Sequence, residues 1–267
     1  MKDFLFYFAR RYIAGEKRAD AIEAARALNA DGISASIDVL GENVEDASDA
    51  RRSVAEYLAL LGEIDRTGVD ASVSLKLTHL GLDLSDELAM ENAEAVVRRA
   101  GELGNFVRVD MERAVYTERT IDLVVRLRRK YDNVGVAVQS YLYRSGGDVA
   151  RLIKEGVSVR LVKGAYKEGP DVAFRDKGAV DRNFDCLMKE LLTKGNRPAI
   201  ATHDEALIDE AKRFAEIKGI PRDAFDFEML LGIKRTLQRG LAAEGYNMRV
   251  YVPYGPEWLP YITRRLT

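Results

Sequence analysis

Eight short apolar runs punctuate the chain, at residues 32–40, 72–80, 106–111, 134–141, 158–165, 199–203, 224–230 and 248–254. Between them the apolar residues change period. Val54, Tyr57, Leu58 and Leu61 share one helical face; so do Ala93, Val96, Val97 and Ala100, and so do Leu207, Ala211 and Phe214. Gly62, Gly104, Gly156, Gly195, Gly219 and Gly245 follow helical segments, where they suit C-caps and turns into the next strand. Strand then helix, repeated eight times, predicts an α/β fold, a (β/α)8 TIM-like barrel. An open doubly wound sheet is the competitor. That fold usually carries G-x-G-x-x-G after its first strand, and the string occurs nowhere here.

A barrel of this kind commonly takes about 200–250 residues as one domain. The 267 residues fit one, with residues 1–31 as short N-terminal helices packed on a barrel of residues 32–267 and a final helix over its mouth. Charge is balanced, 41 Lys and Arg against 43 Asp and Glu, which argues against a nucleic-acid binder. The single cysteine, Cys186, excludes an intrachain disulfide and suits a reducing compartment such as the cytoplasm. The opening apolar run from Phe4 to Ala9 is too short to span a bilayer, and Asp3 and the Arg10–Arg11 pair spoil a signal peptide. An amphipathic helix is expected there, docked on the body or resting on a membrane surface.

Period two within the strands separates two sets of side chains. One set is apolar: Val73, Leu75 and Leu77, Val107 and Val109, Val134, Val136 and Val138, Val159 and Leu161, Phe225 and Phe227, Val250 and Val252. The other carries Lys76, Asp110, Gln139, Arg160, Glu228 and Tyr251. In a closed parallel barrel the first set faces the helices and the second the lumen, near the end where active sites of this fold lie. A lumen is ordinarily filled by Val, Ile and Leu, so six convergent polar or aromatic groups point to a functional cleft. In "VRLVKGAYKEGP" (159–170), Arg160 faces that lumen, Lys163 lies where strand gives way to loop, and Gly164 allows close backbone approach. Both cations suit an anionic or electron-rich ligand, or salt bridges to Asp110 and Glu228.

Seven stretches, in order and across residues 12–266, together resemble proline dehydrogenase: "SLKLTHLGL" (74–82), "VRVDMER" (107–113), "VAVQSYLYR" (136–144), "VRLVKGAYKE" (159–168), "ATHDEALI" (201–208), "FEMLLGIKRTLQ" (227–238) and "RVYVPYGPEWLPYITRRL" (249–266). The likeness is to the short monofunctional type. It implies FAD bound on a distorted (β/α)8 barrel that lacks a Rossmann motif. Gln139, Arg160, Lys163, Gly164, Ala165, Thr202, His203 and Glu228 match the family's flavin contacts, with Arg160 near the reactive N5. Lys76, Tyr166, Leu230, Tyr251, Arg264 and Arg265 match its proline pocket, Asp110 a carboxylate pairing with the pocket lysine, and Glu42 a gate that pairs with the final helix. The implied reaction oxidises L-proline to 1-pyrroline-5-carboxylate by hydride transfer to the flavin, which passes its electrons to a quinone; peripheral contact with the inner face of the membrane would follow.

The residue types fit that chemistry. Arginines and a lysine hold a carboxylate by charge-assisted bonds, and Tyr166, Leu230 and Tyr251 enclose an apolar ring. His79 and His203 lack H-x-H spacing and suit hydrogen bonds rather than a metal. Two features depart from the family pattern: Arg113 stands where many members have aspartate, and the sequence runs only two residues past Arg265. Rival readings are a Schiff-base aldolase built on Lys76, a silent barrel that binds FAD or proline, and a hydroxyproline oxidase, which the ring of Tyr251 argues against.

Overall fold

A computed structural model describes residues 10–266, with side chains as far as Thr263; the Phe4–Phe8 run lies outside the described residues. The strands are β1 (Ser34–Val39), β2 (Ala71–Leu75), β3 (Val107–Val109), β4 (Val134–Gln139), β5 (Ser158–Val162), β6 (Ala199–Ala201), β7 (Asp226–Leu230) and β8 (Asn247–Tyr254). Each pairs in parallel with the next, and β8 closes on β1 from Ser34–Arg249 to Val39–Tyr254. Helix α1 (Arg18–Asn29) precedes the barrel. The crossovers are α2 (Ala47–Thr67), α3 (Asp86–Glu102), α4 (Thr117–Arg128), α5 (Ser145–Lys154), α6 (Lys177–Lys194), α7 (Glu205–Lys218) and α8 (Arg235–Ala243), and α9 (Trp258–Leu266) follows β8. Among the described residues no helix is long and apolar enough to cross a membrane.

Local chemistry sets the helix starts. Asp46, Ser85, Asp176 and Asp204 each accept a backbone N–H in the first turn of α2, α3, α6 and α7. The ends are less regular than the glycine spacing suggests. Gly62 lies inside α2, which instead ends at Gly68, where φ is +65°. The second apolar run likewise overshoots its strand. β2 stops at Leu75, and Leu77, Leu80 and Leu82 are buried around a 3-10 turn at Thr78–Leu80. An apolar run does not reveal where extended backbone ends. Residues 10–17 form turns and extended backbone rather than a helix.

The apolar parity packs as expected: Val73, Leu75, Val107, Val109, Val136, Leu161, Phe227, Val250 and Val252 are buried between the strands and the surrounding helices. The lumen is polar from floor to mouth. At the floor the guanidinium of Arg108 lies 4.9 Å from the Phe106 ring and donates to the Ser158 carbonyl at 2.7 Å. Burial and the neighbouring Arg160 lower the pKa of Arg108 to about 10. Gly135, paired with Arg108 on one side and Ser158 on the other, leaves the space this guanidinium fills. A Cβ there would lie 2.4 Å from the Arg108 nitrogen and 2.5 Å from the Ser158 oxygen.

Two glycine substitutions therefore have opposite signs. Gly135→Ala should destabilise by about 1–3 kcal/mol through overpacking. Gly62→Ala should stabilise by about 0.5–1 kcal/mol, because a glycine inside a helix loses entropy and nothing lies within 4 Å of its Cβ position. Urea unfolding of both variants measures the two shifts.

Candidate active site

A cavity of about 390 Å³ opens at the C-terminal ends of the strands. Lys76, Asp110, Gln139, Arg160, Glu228 and Tyr251, the six residues assigned to the lumen from period two, all line it. Lys163, Gly164, Ala165, Tyr166, Thr202, His203 and Leu230 line it too. Glu42 does not; it is half-buried in the loop after β1. Arg264 and Arg265 are on α9, but their side chains lie outside the described residues. Arg113 is exposed in the loop after β3.

The cavity base is a chain of buried charges. Lys76 lies one residue past β2, and its Nζ donates to both oxygens of Asp38 at 2.9 and 2.8 Å. Asp110, one residue past β3, is farther from that ammonium, at 3.8 Å. The lysine's close partner is thus Asp38 rather than Asp110. Asp110 instead accepts from Arg160 at 2.6 Å and from the Tyr251 hydroxyl at 2.7 Å. Arg160 also pairs with Glu228 at 2.6 Å, donates to Ser36 Oγ at 3.1 Å, and lies 5.5 Å from the Tyr251 ring centre. Two cations thus share three carboxylates.

Burial sets the protonation of this chain. Full burial pushes the Asp38 carboxyl up to about 6, although Lys76 opposes the shift. Burial would lower the Lys76 pKa, but Asp38 and Asp110 outweigh it and hold the ammonium above its ordinary range. Arg160 rises for the same reason, with Glu228 and Asp110 overcoming its burial. Burial, then the Asp110 charge, lifts the Tyr251 hydroxyl well above its ordinary value.

A second group lines the other wall. Lys163 pairs with Asp181 at 2.5 Å and Asp204 at 2.8 Å, and Asp204 also caps α7. His203 Nε2 accepts the Leu230 N–H at 2.9 Å, which fixes the ring's proton on Nδ1. The amide nitrogen of Gln139 donates to the carbonyls of Glu112 at 3.1 Å and Met111 at 3.4 Å, while its buried Oε1 has no partner among the described residues. Behind it, the Glu112 carboxyl accepts from Thr78 Oγ1 at 2.5 Å and Thr78 N at 3.2 Å, and burial raises it to about 7.

Sequence reasoning missed Asp38, Ser36, Asp204, Asp181 and Tyr261. Ser34, Ser36 and Asp38 alternate with Ala35, Ile37 and Val39, so the period-two signal was present in the first run. Asp181 and Asp204 come from different crossovers, and no local pattern joins them to Lys163.

Glu112 gives a signed pH test. Its folded pKa, about 7, exceeds the ordinary 4.5, so the folded state holds a proton that the unfolded state releases as pH rises. The associated stability is complete below pH 4.5 and is lost as pH rises to 7. Relative to Glu112→Gln, the wild type should lose about 3 kcal/mol over that interval. Urea denaturation of both proteins across this range measures it.

The model of the proline dehydrogenase family matches residues 21–267. A curated proline dehydrogenase of Deinococcus radiodurans is 40% identical over 267 residues, covering 98% of this chain and 86% of that protein. Proline dehydrogenase 2 of Bacillus subtilis is 40% identical over 258 residues, covering 97% of this chain and 85% of its own. Among solved structures, proline utilization A (PutA) from Bdellovibrio bacteriovorus, inactivated by N-propargylglycine, superposes with a TM-score of 0.92 at 26% identity. This chain is covered to 99% there and spans 33% of the PutA chain. The chain belongs to the proline dehydrogenase family and is an enzyme of proline oxidation.

Proposed function

We propose that the chain binds FAD in the cavity above the strand ends and oxidises L-proline to 1-pyrroline-5-carboxylate, with a quinone as final electron acceptor. The observation that carries the flavin assignment is Gln139. Its Oε1 is buried in the cavity wall without a donor among the described residues, and an unmet buried acceptor is costly. An isoalloxazine ring has an N–H able to meet it. Gln139, Arg160, Lys163, Gly164, Ala165, Thr202, His203 and Glu228 would hold the cofactor, and the cavity size suits a cofactor or drug-sized ligand. When bound, FAD supplies the hydride acceptor at N5 and the route for electrons to the quinone.

The chain's own residues bind, orient and exclude water. Asp38 takes two of the three Lys76 donors, and the third makes only a long contact to the Tyr251 hydroxyl at 3.5 Å, which a ligand carboxylate would replace. Arg264 and Arg265 would add the bidentate part from α9. Tyr166, Leu230, Tyr251 and Tyr261 wall the cavity and would enclose the pyrrolidine ring. Asp110 fixes both the Tyr251 hydroxyl and the Arg160 guanidinium, so neither reorganises when substrate enters. Glu42 would close the mouth against the final helix. The Phe4–Phe8 segment would give a cytoplasmic enzyme peripheral contact with a quinone-bearing membrane.

The lysine-based aldolase reading loses ground on the same geometry. A Schiff base needs a neutral amine, and Lys76 is an ammonium locked on Asp38 with its pKa raised.

Purified protein should show flavin absorbance, and the bands should bleach when L-proline is added anaerobically. Bands that persist with proline would contradict the substrate assignment; no flavin after reconstitution with FAD would contradict the cofactor. Lys76→Met should lower kcat/KM by about 10–100-fold, the effect of one hydrogen bond to a charged group. Activity should rise with pH as the substrate amine loses its proton, since Lys76 and Tyr251 both titrate above their ordinary ranges.

A further inference from the structure

The segment before α1 crosses the barrel mouth instead of hanging from the body. Ala14 N donates to the Pro253 carbonyl at 2.9 Å, and Gly255 N donates to the Gly15 carbonyl at 3.0 Å. The Arg11 carbonyl rests on Gly232, in the loop after β7. A Cβ at Gly232 would lie 1.9 Å from that oxygen, and φ there is +80°. Only glycine tolerates both the contact and the backbone.

This strap holds the helix that carries the proposed carboxylate-binding arginines. Ile13, 1% exposed, packs in a small apolar cluster with Leu40, Tyr251, Trp258, Tyr261 and Ile262. Tyr251 and Tyr261 also line the cavity, so the cluster and the site share side chains. The indole of Trp258, at the first turn of α9, is buried and donates its N–H to Glu16 Oε1 at 3.1 Å. Strap, helix and cavity wall are therefore one packed unit.

We propose that Glu16 and Ile13 are positioning residues for the proline site, acting by seating α9 on the barrel mouth. The inference rests on the proline-oxidising reading of the cavity. Glu16 does not line the cavity; it fixes Trp258, which fixes the helix bearing Tyr261, Arg264 and Arg265. With the seat loosened, substrate would have to order α9 on binding. Apparent affinity would fall by the fraction of time the helix is out of place.

Trp258 is the single tryptophan of the chain, so its emission reports this contact directly. Wild-type, Glu16→Ala and Glu16→Gln holoenzymes should be compared by kinetics with proline and by tryptophan emission. Glu16→Ala should raise KM for proline on the order of 10-fold, the effect of one lost hydrogen bond to a charged group. Its kcat should stay near that of the wild type and its emission should shift to the red. Glu16→Gln keeps an oxygen for the indole N–H and should restore both readouts. A wild-type KM in Glu16→Ala, whatever its melting temperature, would overturn the proposal, as would Glu16→Gln being as impaired as Glu16→Ala. If the wild type does not turn over proline, the functional reading falls instead. The emission comparison then still decides whether Glu16 seats the helix.

Discussion

The site depends on one electrostatic constraint: two cations and three carboxylates are buried together where the strands end. Lys76 and Arg160 cannot leave water unless carboxylates meet them, and Asp38, Asp110 and Glu228 do so from β1, the end of β3 and β7. Removing any one partner leaves an uncompensated charge in a low-dielectric lumen. The network therefore specifies the geometry of the mouth more than it adds stability. Asp110 is the joint of the chain, because it binds Arg160 through one oxygen and Tyr251 through the other.

The barrel serves this constraint. Parallel strands deliver their C-terminal side chains to one ring, and the apolar parity seals them from the outside by packing under the helices. Below the mouth, Gly135 gives up a side chain so that Arg108 can lie across the lumen floor. The crossovers contribute at their starts: Asp204 caps α7 and also holds Lys163 at the cavity wall. One residue thus begins a helix and orients a cation.

Much of this was legible in the sequence. Alternation of strand and helix periods identified the barrel, and period two placed Lys76, Asp110, Gln139, Arg160, Glu228 and Tyr251 in the lumen. The seven-motif resemblance supplied the family. The partners were less legible. Asp38 carried the same alternation but sits in a run otherwise rich in small residues, and Lys76 was assigned to Asp110. The Lys163 triad joins residues 163, 181 and 204, whose proximity only the closed barrel creates. The end of β2 was overshot because Leu77, Leu80 and Leu82 are buried by a turn as fully as by a strand. The strap over the mouth had no periodic signal, since it is neither helix nor strand.

The measurement that bears most directly on the central claim is a double-mutant cycle on kcat/KM for proline with Asp38→Asn, Lys76→Met and the pair. If the buried charges act as a unit, each single change should cost nearly as much as both together, with a coupling on the order of 1–3 kcal/mol. Additive losses would contradict the account, because they would mean that Asp38 and Lys76 act on the reaction independently.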